Sequence, residues 1–376
     1  MRIGVNARFL NSNKSDGISR YSYETLKRLT IQHPEHEFIF FFDRRYAPEL
    51  VFAENVTPIV IGFPARHPVL WYLWFECSMA KALKKYRADI FFSPDGFMPL
   101  STSVPSLIVI HDINFFHRPE DLPVLSGMYY NYFYPRFARK AEMISTVSEF
   151  SKNDIASAYN IEPSKILVHY NGTNDDFKPA TEQQQKRVRK KFTGGVPYFI
   201  FIGNIHPRKN LINLLRGFNQ FRQGTDKEFR LVIAGKKLFG NNELNRFYHS
   251  MVYRKDVIFT GHIEADQLQE LLASAEALTF FPFYEGFGLP VLEAMLCDVP
   301  VITSGVTSLP EVAGNAAIYA DPSDHLSISD AMKLVVFSPR IKNELIENGR
   351  MQREKFNWDI TASGLWQTMK FLYRNA

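Results

Sequence analysis

One stretch limits what this chain can be more than any other: residues 280–321, FFPFYEGFGLPVLEAMLCDVPVITSGVTSLPEVAGNAAIYAD. An apolar, β-prone run, Ala277 to Phe283, stops at Tyr284-Glu285-Gly286-Phe287-Gly288-Leu289-Pro290. A helix-like segment follows, with Pro290 in its first turn, where a missing N–H does no harm. Strand, glycine-bearing turn and helix in that order collect backbone N–H groups at a helix N-terminus, which suits a phosphate. Pro290 removes one donor, so the contacts fall to Phe287, Gly288 and Leu289, beside Gly286. Glu285 lies on the turn and Glu293 within the first turns of the helix. A carboxylate beside a phosphate is unfavourable unless ligand hydroxyls donate to it, so both glutamates read as sugar or ribose binders. The plain alternative is an ordinary strand-to-helix connection with solvated acids.

A chain of 376 residues, 45% hydrophobic, suggests two globular domains with ample core. The net charge of +5 is modest in either half: residues 1–180 carry 20 Lys+Arg against 19 Asp+Glu, and residues 181–376 carry 24 against 20. No polybasic patch forms, and a nucleic-acid partner is not expected. Cys77 and Cys297 each fall in an apolar helical context and read as reduced, buried thiols of a cytoplasmic protein. MRIGVNARFL enters a strand directly, so no secretion signal is expected, and no apolar run is long enough to span a bilayer.

In chain order, Met1 to Ala7 is a buried strand, followed by a loop ending Asp16-Gly17 and a helix from Ser19 to Leu29. The three-glycine dinucleotide fingerprint is missing, so an NAD site is not supported. Gly17 either lets the backbone approach a ligand or is a simple loop glycine. The strand Ser106 to Ile110 ends in His111-Asp112, at the carboxyl end where open α/β sheets place ligands. Residues 64–87 and 118–140 are rich in aromatic and basic residues. Two readings stand for them: amphipathic elements resting on a membrane surface, or a packed helix pair lining an acceptor site. Residues 175–185 look like a linker.

The second half restarts the pattern with strand Tyr198 to Ile202, then His206-Pro207-Arg208-Lys209-Asn210 and a helix from Leu211 to Phe221. Two adjacent cations at a helix N-terminus oppose the helix dipole unless an anion sits with them. Arg208 offers a bidentate fork and Lys209 a mobile charge, a pairing suited to a diphosphate. A strand ending Gly261-His262-Ile263 precedes the opening stretch, and helices over 341–355 and 357–373 close the chain. Alternating strands and helices in both halves predict an α/β protein of two Rossmann-like domains, with parallel sheets facing a central cleft.

The motifs GNIHPRKNL, FTGHI, YEGFGLPVLEAM, VPVITS and SLPEVAG resemble the family-4 retaining glycosyltransferases of the GT-B fold. Glu285 and Glu293 match that family's paired glutamates eight positions apart. In the first half DGISRY, IHD, TVSEFS and NGT carry a weaker likeness. The resemblance implies an acceptor domain over 1–178, a donor domain over 179–355 and a crossing helix over 356–376. It places Arg208 and Lys209 on a donor diphosphate, Glu285 on sugar hydroxyls and Glu293 on ribose. It also places Gly286, Phe287, Gly288 and Leu289 against phosphate and sugar, and His262 and Ile263 beside the base. His111 falls near the anomeric carbon, with Glu285 as its catalytic partner, and Gly17 near the diphosphate. Where the family often has two adjacent glycines, this chain has Asp16-Gly17.

The resemblance further implies a nucleotide diphosphate sugar as co-substrate, no cofactor and no metal; no Asp-x-Asp motif is present. SLPEV is similar to bacterial mannosyl- and rhamnosyltransferases, which favours GDP-mannose. The aromatic first half fits a glycan or lipid-linked oligosaccharide acceptor, with the protein in the cytoplasm or peripheral at the inner face of the membrane. A GT-B sugar phosphorylase, a nucleotide-sugar epimerase of similar fold and a non-catalytic nucleotide-sugar-binding protein are the alternatives.

Overall fold

The computed structural model describes residues 1–11, 17–173, 176–236 and 242–375. The chain divides into two compact units, Met1–Gly172 with Phe356–Ala376, and Thr173–Lys355. Each is a parallel sheet clothed in helices. Segments such as EFIFFF and YFIFI are apolar at nearly every position, as strands covered on both faces must be.

Among the described residues the first unit holds β1 (Arg2–Asn6), β2 (Glu37–Phe42), β3 (Val56–Val60), β4 (Ile90–Ser93), β5 (Ser106–Val109), β6 (Met143–Thr146) and β7 (Ile166–Val168). Their order is β3-β2-β1-β4-β5-β6-β7. The second holds β8 (Tyr198–Ile202), β9 (Arg230–Ala234), β10 (Val257–Gly261), β11 (Ala277–Phe280), β12 (Val301–Ser304) and β13 (Ala317–Ala320). Their order is β10-β9-β8-β11-β12-β13. Both sheets start near the middle, build outward for three strands, then reverse. The reversal falls between β1 and β4 in one unit and between β8 and β11 in the other. Carboxyl ends at such a reversal are where open α/β sheets hold ligands.

Several local expectations change. β3 carries Pro58 in its interior and is an edge strand, where a missing N–H is tolerated. Residues 182–193, expected as part linker, form the helix Glu182–Thr193. Thr181 and Gln184 cap each other's backbone N–H groups there, and only Val188 and Thr193 are buried, so hydrophobic periodicity gave no signal. The region after residue 64 forms a helix Pro68–Leu73, a π turn Trp74–Met79 and a helix Ala80–Lys85. The wider turn gives Trp74, Phe75 and Met79 to the core and leaves Cys77 exposed, against expectation; Cys297 is buried.

The last helix, Trp358–Arg374, belongs to the first unit. Asn357 caps it, accepting from the Asp359 N–H at 2.7 Å. Trp366 stacks on His33 with ring centroids 3.7 Å apart, and Asp359 takes a 3.0 Å bond from Arg28 Nε. Among the described residues no helix is long and apolar enough to cross a membrane.

Candidate functional site

The second unit's reversal is built from the loops leaving β8 and β11. After β8 the chain makes a 3-10 turn, Pro207–Lys209, and Asn210 takes a left-handed conformation (φ 57°) before the helix Leu211–Gln223. Arg208 and Lys209 therefore lie in the turn ahead of the helix. Asn210 Nδ2 donates to the carbonyls of Phe281 (3.0 Å) and Pro322 (2.6 Å), and the Phe283 N–H donates to the Arg208 carbonyl (2.9 Å). The bonds involving Phe281 and Phe283 tie the two loops together across the reversal, and the one to Pro322 reaches the segment after β13.

That tie sets the side chains. Arg208 Nη1 donates to Glu285 Oε2 at 3.1 Å and to the Tyr284 carbonyl at 3.2 Å. Lys209 Nζ donates to the same Glu285 oxygen and lies 4.8 Å from the centre of the Phe280 ring. The sequence pattern assigned these residues to different parts of a ligand; the structure joins them in one cluster. Burial pushes the Glu285 carboxyl up, but Lys209 and then Arg208 outweigh it and hold the group below its ordinary range. Both cations are held on the same carboxylate oxygen, which fixes a guanidinium and an ammonium side by side, a pairing whose charge suits an anion.

The turn that follows is held from behind. Gly288 caps the helix Leu289–Leu296 at φ 100°, and a Cβ there would stand 2.6 Å from Leu309 Cδ2, so only glycine fits. Phe287 is buried, and Gly286 to Leu289 run into the helix start. Three hydroxyls from the end of β12 and the loop beyond it hold carbonyls along the exit from β11. Thr303 Oγ1 donates to Phe280 (2.6 Å), Ser304 Oγ to Pro282 (2.9 Å) and Ser308 Oγ to Glu285 (2.9 Å). Thr307, just before Ser308, is β-branched yet sits at φ 59°, a strained position. Sequence reasoning missed this support; its one signal was a run of hydroxyl residues ending a wholly buried strand.

Glu293 lies in the second turn of its helix and is 8% exposed. His262 and Ile263 follow β10, the outer strand of the sheet, and His262 Nε2 stands 3.8 Å from the Glu264 carboxylate. They are thus two strands out from β8, away from the Glu285 cluster.

In the first unit, Gly17 is exposed and opens the helix Gly17–Gln32; Asp16 lies outside the described residues. His111 follows β5, and its Nε2 is 2.8 Å from the Pro94 carbonyl. A carbonyl only accepts, so Nε2 carries the proton and Nδ1 is the ring's acceptor nitrogen when neutral. The Tyr21 ring meets the imidazole edge-on at 4.8 Å. A cluster that the sequence did not reveal spans the β1/β4 reversal. Asn6 Nδ2 donates to Asp95 Oδ1 (2.7 Å) and Ser93 Oγ (3.0 Å), and Arg8 Nη2 donates to Asp95 Oδ2 (3.3 Å). The available signal was polar residues, NAR and SPD, at the exits of two otherwise apolar strands.

Comparison with known proteins agrees with this division. The family Glycosyltransferase Family 4 matches residues 15–177, and Glycosyl transferases group 1 matches residues 182–352. The chain is 28% identical over 367 residues to the O-antigen chain mannosyltransferase B of Escherichia coli, covering 95% of this chain and 96% of that one. It is 25% identical over 294 residues to the O-antigen chain mannosyltransferase RfbU of Salmonella typhimurium, covering 77% and 78%. The crystal structure of Anabaena Alr3699/HepE in complex with UDP and glucose superposes with a TM-score of 0.76 at 15% identity, over 98% of this chain and 99% of that one. A family-4 domain followed by a group 1 domain, on two parallel sheets that share the architecture of GT-B enzymes, makes this chain a member of the group 1/family-4 glycosyltransferases.

Proposed function

We propose that the chain transfers a mannosyl unit from GDP-mannose to a glycan or lipid-linked oligosaccharide, with retention of configuration and without a bound metal. The observation that carries this reading is the Arg208–Glu285–Lys209 cluster at the second unit's reversal. As the bond from anomeric carbon to diphosphate breaks, charge grows on the leaving oxygen, and two fixed cations stabilise it where a metal ion otherwise would. Glu285 accepts from sugar hydroxyls. The N–H groups of Gly286, Phe287, Gly288 and Leu289 face the phosphate and sugar, and Gly17 approaches the diphosphate. Glu293 takes the ribose hydroxyls, while His262 and Ile263 flank the base.

Retention follows from front-face attack. The acceptor oxygen bonds to the anomeric carbon on the face the diphosphate leaves, and the acceptor's proton passes to the departing phosphate oxygen. The products are a glycoside and a nucleoside diphosphate. His111 offers Nδ1 to a hydroxyl of the sugar or acceptor. Mannose is supported by the names of both sequence relatives, and a nucleoside diphosphate by the UDP bound in the Anabaena protein.

The test is a thermal-shift screen of GDP, UDP, dTDP and ADP sugars, followed by NMR of the product's anomeric centre. A donor at a hundredfold excess over Kd stabilises by about 2.7 kcal/mol. Stabilisation by UDP sugars alone, or an inverted product, would sink the donor or the stereochemical claim. Sugar-1-phosphate formed from donor and inorganic phosphate without acceptor would instead indicate a phosphorylase.

A lipid-linked acceptor would also bring the first unit to an anionic membrane. The helices Pro68–Leu73 and Val124–Lys140 pack through Trp71 on Tyr129 and Tyr72 on Phe133. Together they expose Val69, Tyr72, Leu73, Val124, Leu125, Met128 and Tyr132. Exposed Arg66, Lys81, Lys84, Lys85, Arg136, Arg139 and Lys140 lie on the same elements and next to them, a composition suited to acidic headgroups. Flotation with phosphatidylglycerol vesicles, weakened by Leu125→Glu with Met128→Glu, is the expected result; no flotation of the unaltered protein overturns it.

A further inference from the structure

The first unit's reversal bears on His111. The loop leaving β4, Pro94-Asp95-Gly96-Phe97, is fixed through the Asp95 carboxylate, which is almost wholly buried (its side chain 1% exposed). Oδ1 accepts from Asn6 Nδ2 (2.7 Å), Ser93 Oγ (2.9 Å) and the Phe97 N–H (3.2 Å), and Oδ2 accepts from Arg8 Nη2 (3.3 Å). Tyr134 OH donates to the Asp95 carbonyl at 2.9 Å. Gly96 sits at φ 82°, where a Cβ would press on the Val109 carbonyl at 3.1 Å. The turn is therefore pinned from several sides, and its Pro94 carbonyl accepts a hydrogen bond from His111 Nε2–H.

Arg8 is a peculiar partner for such a carboxylate. It is 4% exposed, and among the described residues its Nε and Nη1 find no hydrogen-bond acceptor. Its charge is met instead by the Phe97 ring at 4.7 Å, Phe9 at 5.1 Å and Phe75 at 5.4 Å. Two unmatched donors in a buried guanidinium are a standing penalty. A purely structural contact there could be replaced by apolar packing. What only a buried anion can do is gather a neighbouring amide, a hydroxyl and a backbone N–H at once, and so freeze the turn.

We infer that Asp95, held by Arg8, is a positioning residue for His111: it fixes the Pro94 carbonyl and thereby the imidazole's orientation and tautomer. The inference rests on the proposed placing of His111 beside the reacting sugar and adds the residues that aim it. The other ring nitrogen's hydrogen bond is what ordinarily decides which tautomer a histidine offers.

The test uses the full chain with 15N-labelled histidine. Asp95→Asn keeps the shape but sets an amide against Arg8; Arg8→Met keeps the packed stem and removes the charge, and serves if the first variant folds poorly. NMR should show His111 predominantly as the Nε2–H form in the unaltered protein and as a mixture in either variant. Transfer kcat should fall ~10–100-fold while the donor KM stays within about twofold, the size seen when outer partners of a functional histidine are lost. A merely structural role would lower the melting temperature and leave the tautomer alone. An unchanged tautomer in both variants overturns the inference, whatever the activity. If His111→Ala retains the kcat of the unaltered protein, the catalytic placing of His111 fails, while the tautomer result still decides whether Asp95 aims the ring.

Discussion

The two reversals carry the same chemistry in opposite settings. In each, a cation leaving the unit's first strand meets a carboxylate leaving its fourth: Arg8 with Asp95, and Arg208 and Lys209 with Glu285. The first pair is one-to-one, with side chains 5% and 1% exposed, and is walled by aromatic rings. The second has two cations for one carboxylate and retains 23%, 11% and 15% exposure. Topology offers a ligand position at both places, and burial separates them. The first pair is sealed from solvent, whereas the second cluster keeps part of its surface open. On the function proposed above, the first reversal serves as framework and the second holds the donor.

Removing one carboxylate from each pair should break or uphold this contrast most sharply. Asp95→Ala leaves Arg8 buried without its counter-ion and should cost about 3–5 kcal/mol of stability. Glu285→Ala leaves its cations near solvent and should cost less than about 2 kcal/mol, yet abolish transfer. Chemical denaturation beside a transfer assay reads both. Equal stability losses would mean that the two reversals are both structural.

Acid should separate the units by a different route. His169, at the exit of β7 and bonded to Ser145 Oγ at 2.9 Å, is pushed down to about 4 by burial. Between the usual 6.5 and about 4 the unfolded chain binds a proton that the folded one refuses, so stability falls as pH falls through that window. The loss reaches roughly 3 kcal/mol at its lower end. Glu285, whose folded value is depressed, contributes stability above the ordinary carboxylate range that is lost only at lower pH. Denaturation midpoints between pH 7 and 4 should therefore decline first through His169, and His169→Phe should flatten that decline.

How much of this was legible depends on whether the information was local. The turn at Glu285 and the pair Arg208-Lys209 stood out because glycines, a proline and misplaced charges at strand ends are chemistry a single segment displays. The alternation of strand and helix did the same for both sheets. The helix Glu182–Thr193 was hidden because it is polar nearly all round, and β13, AIYA, because it is a short edge strand with three of its four residues incompletely buried. Arg8 and Asp95 were hidden for another reason: their partners lie 87 residues apart, and neither looks unusual until the reversal brings β1 beside β4. Cys77 misled because a π turn shifts the register that an α-helical reading assumes.

Within the open reversal, Arg208→Ala should weaken binding of the nucleotide diphosphate by about 1–3 kcal/mol, measured by calorimetry, if its guanidinium meets a phosphate as well as Glu285. Lys209→Ala should do less, because a mobile ammonium makes fewer fixed bonds than a planar fork. Unchanged affinity in Arg208→Ala would show that the arginine serves Glu285 alone, and the two reversals would then differ less than their exposure suggests.

The smallest effect concerns the support behind the turn. Ser308 is fully buried, and its hydroxyl reaches the Glu285 carbonyl at 2.9 Å from a loop whose preceding residue, Thr307, is held in a left-handed conformation. Strain of that kind persists only where the surroundings over-determine it. Ser308→Ala removes one neutral hydrogen bond and should cost about 1 kcal/mol in stability. If the bond also sets where the Glu285 carboxylate stands, donor KM rises and kcat falls together while the fold survives; if it only secures the loop, the melting temperature moves and the kinetics do not. Thr307→Gly sharpens the choice, because glycine relieves the strained φ without touching Ser308. Greater stability with poorer turnover would mean that the strain holds the Glu285 turn in place, a function with no counterpart at the sealed reversal, where Asp95 does the holding by charge.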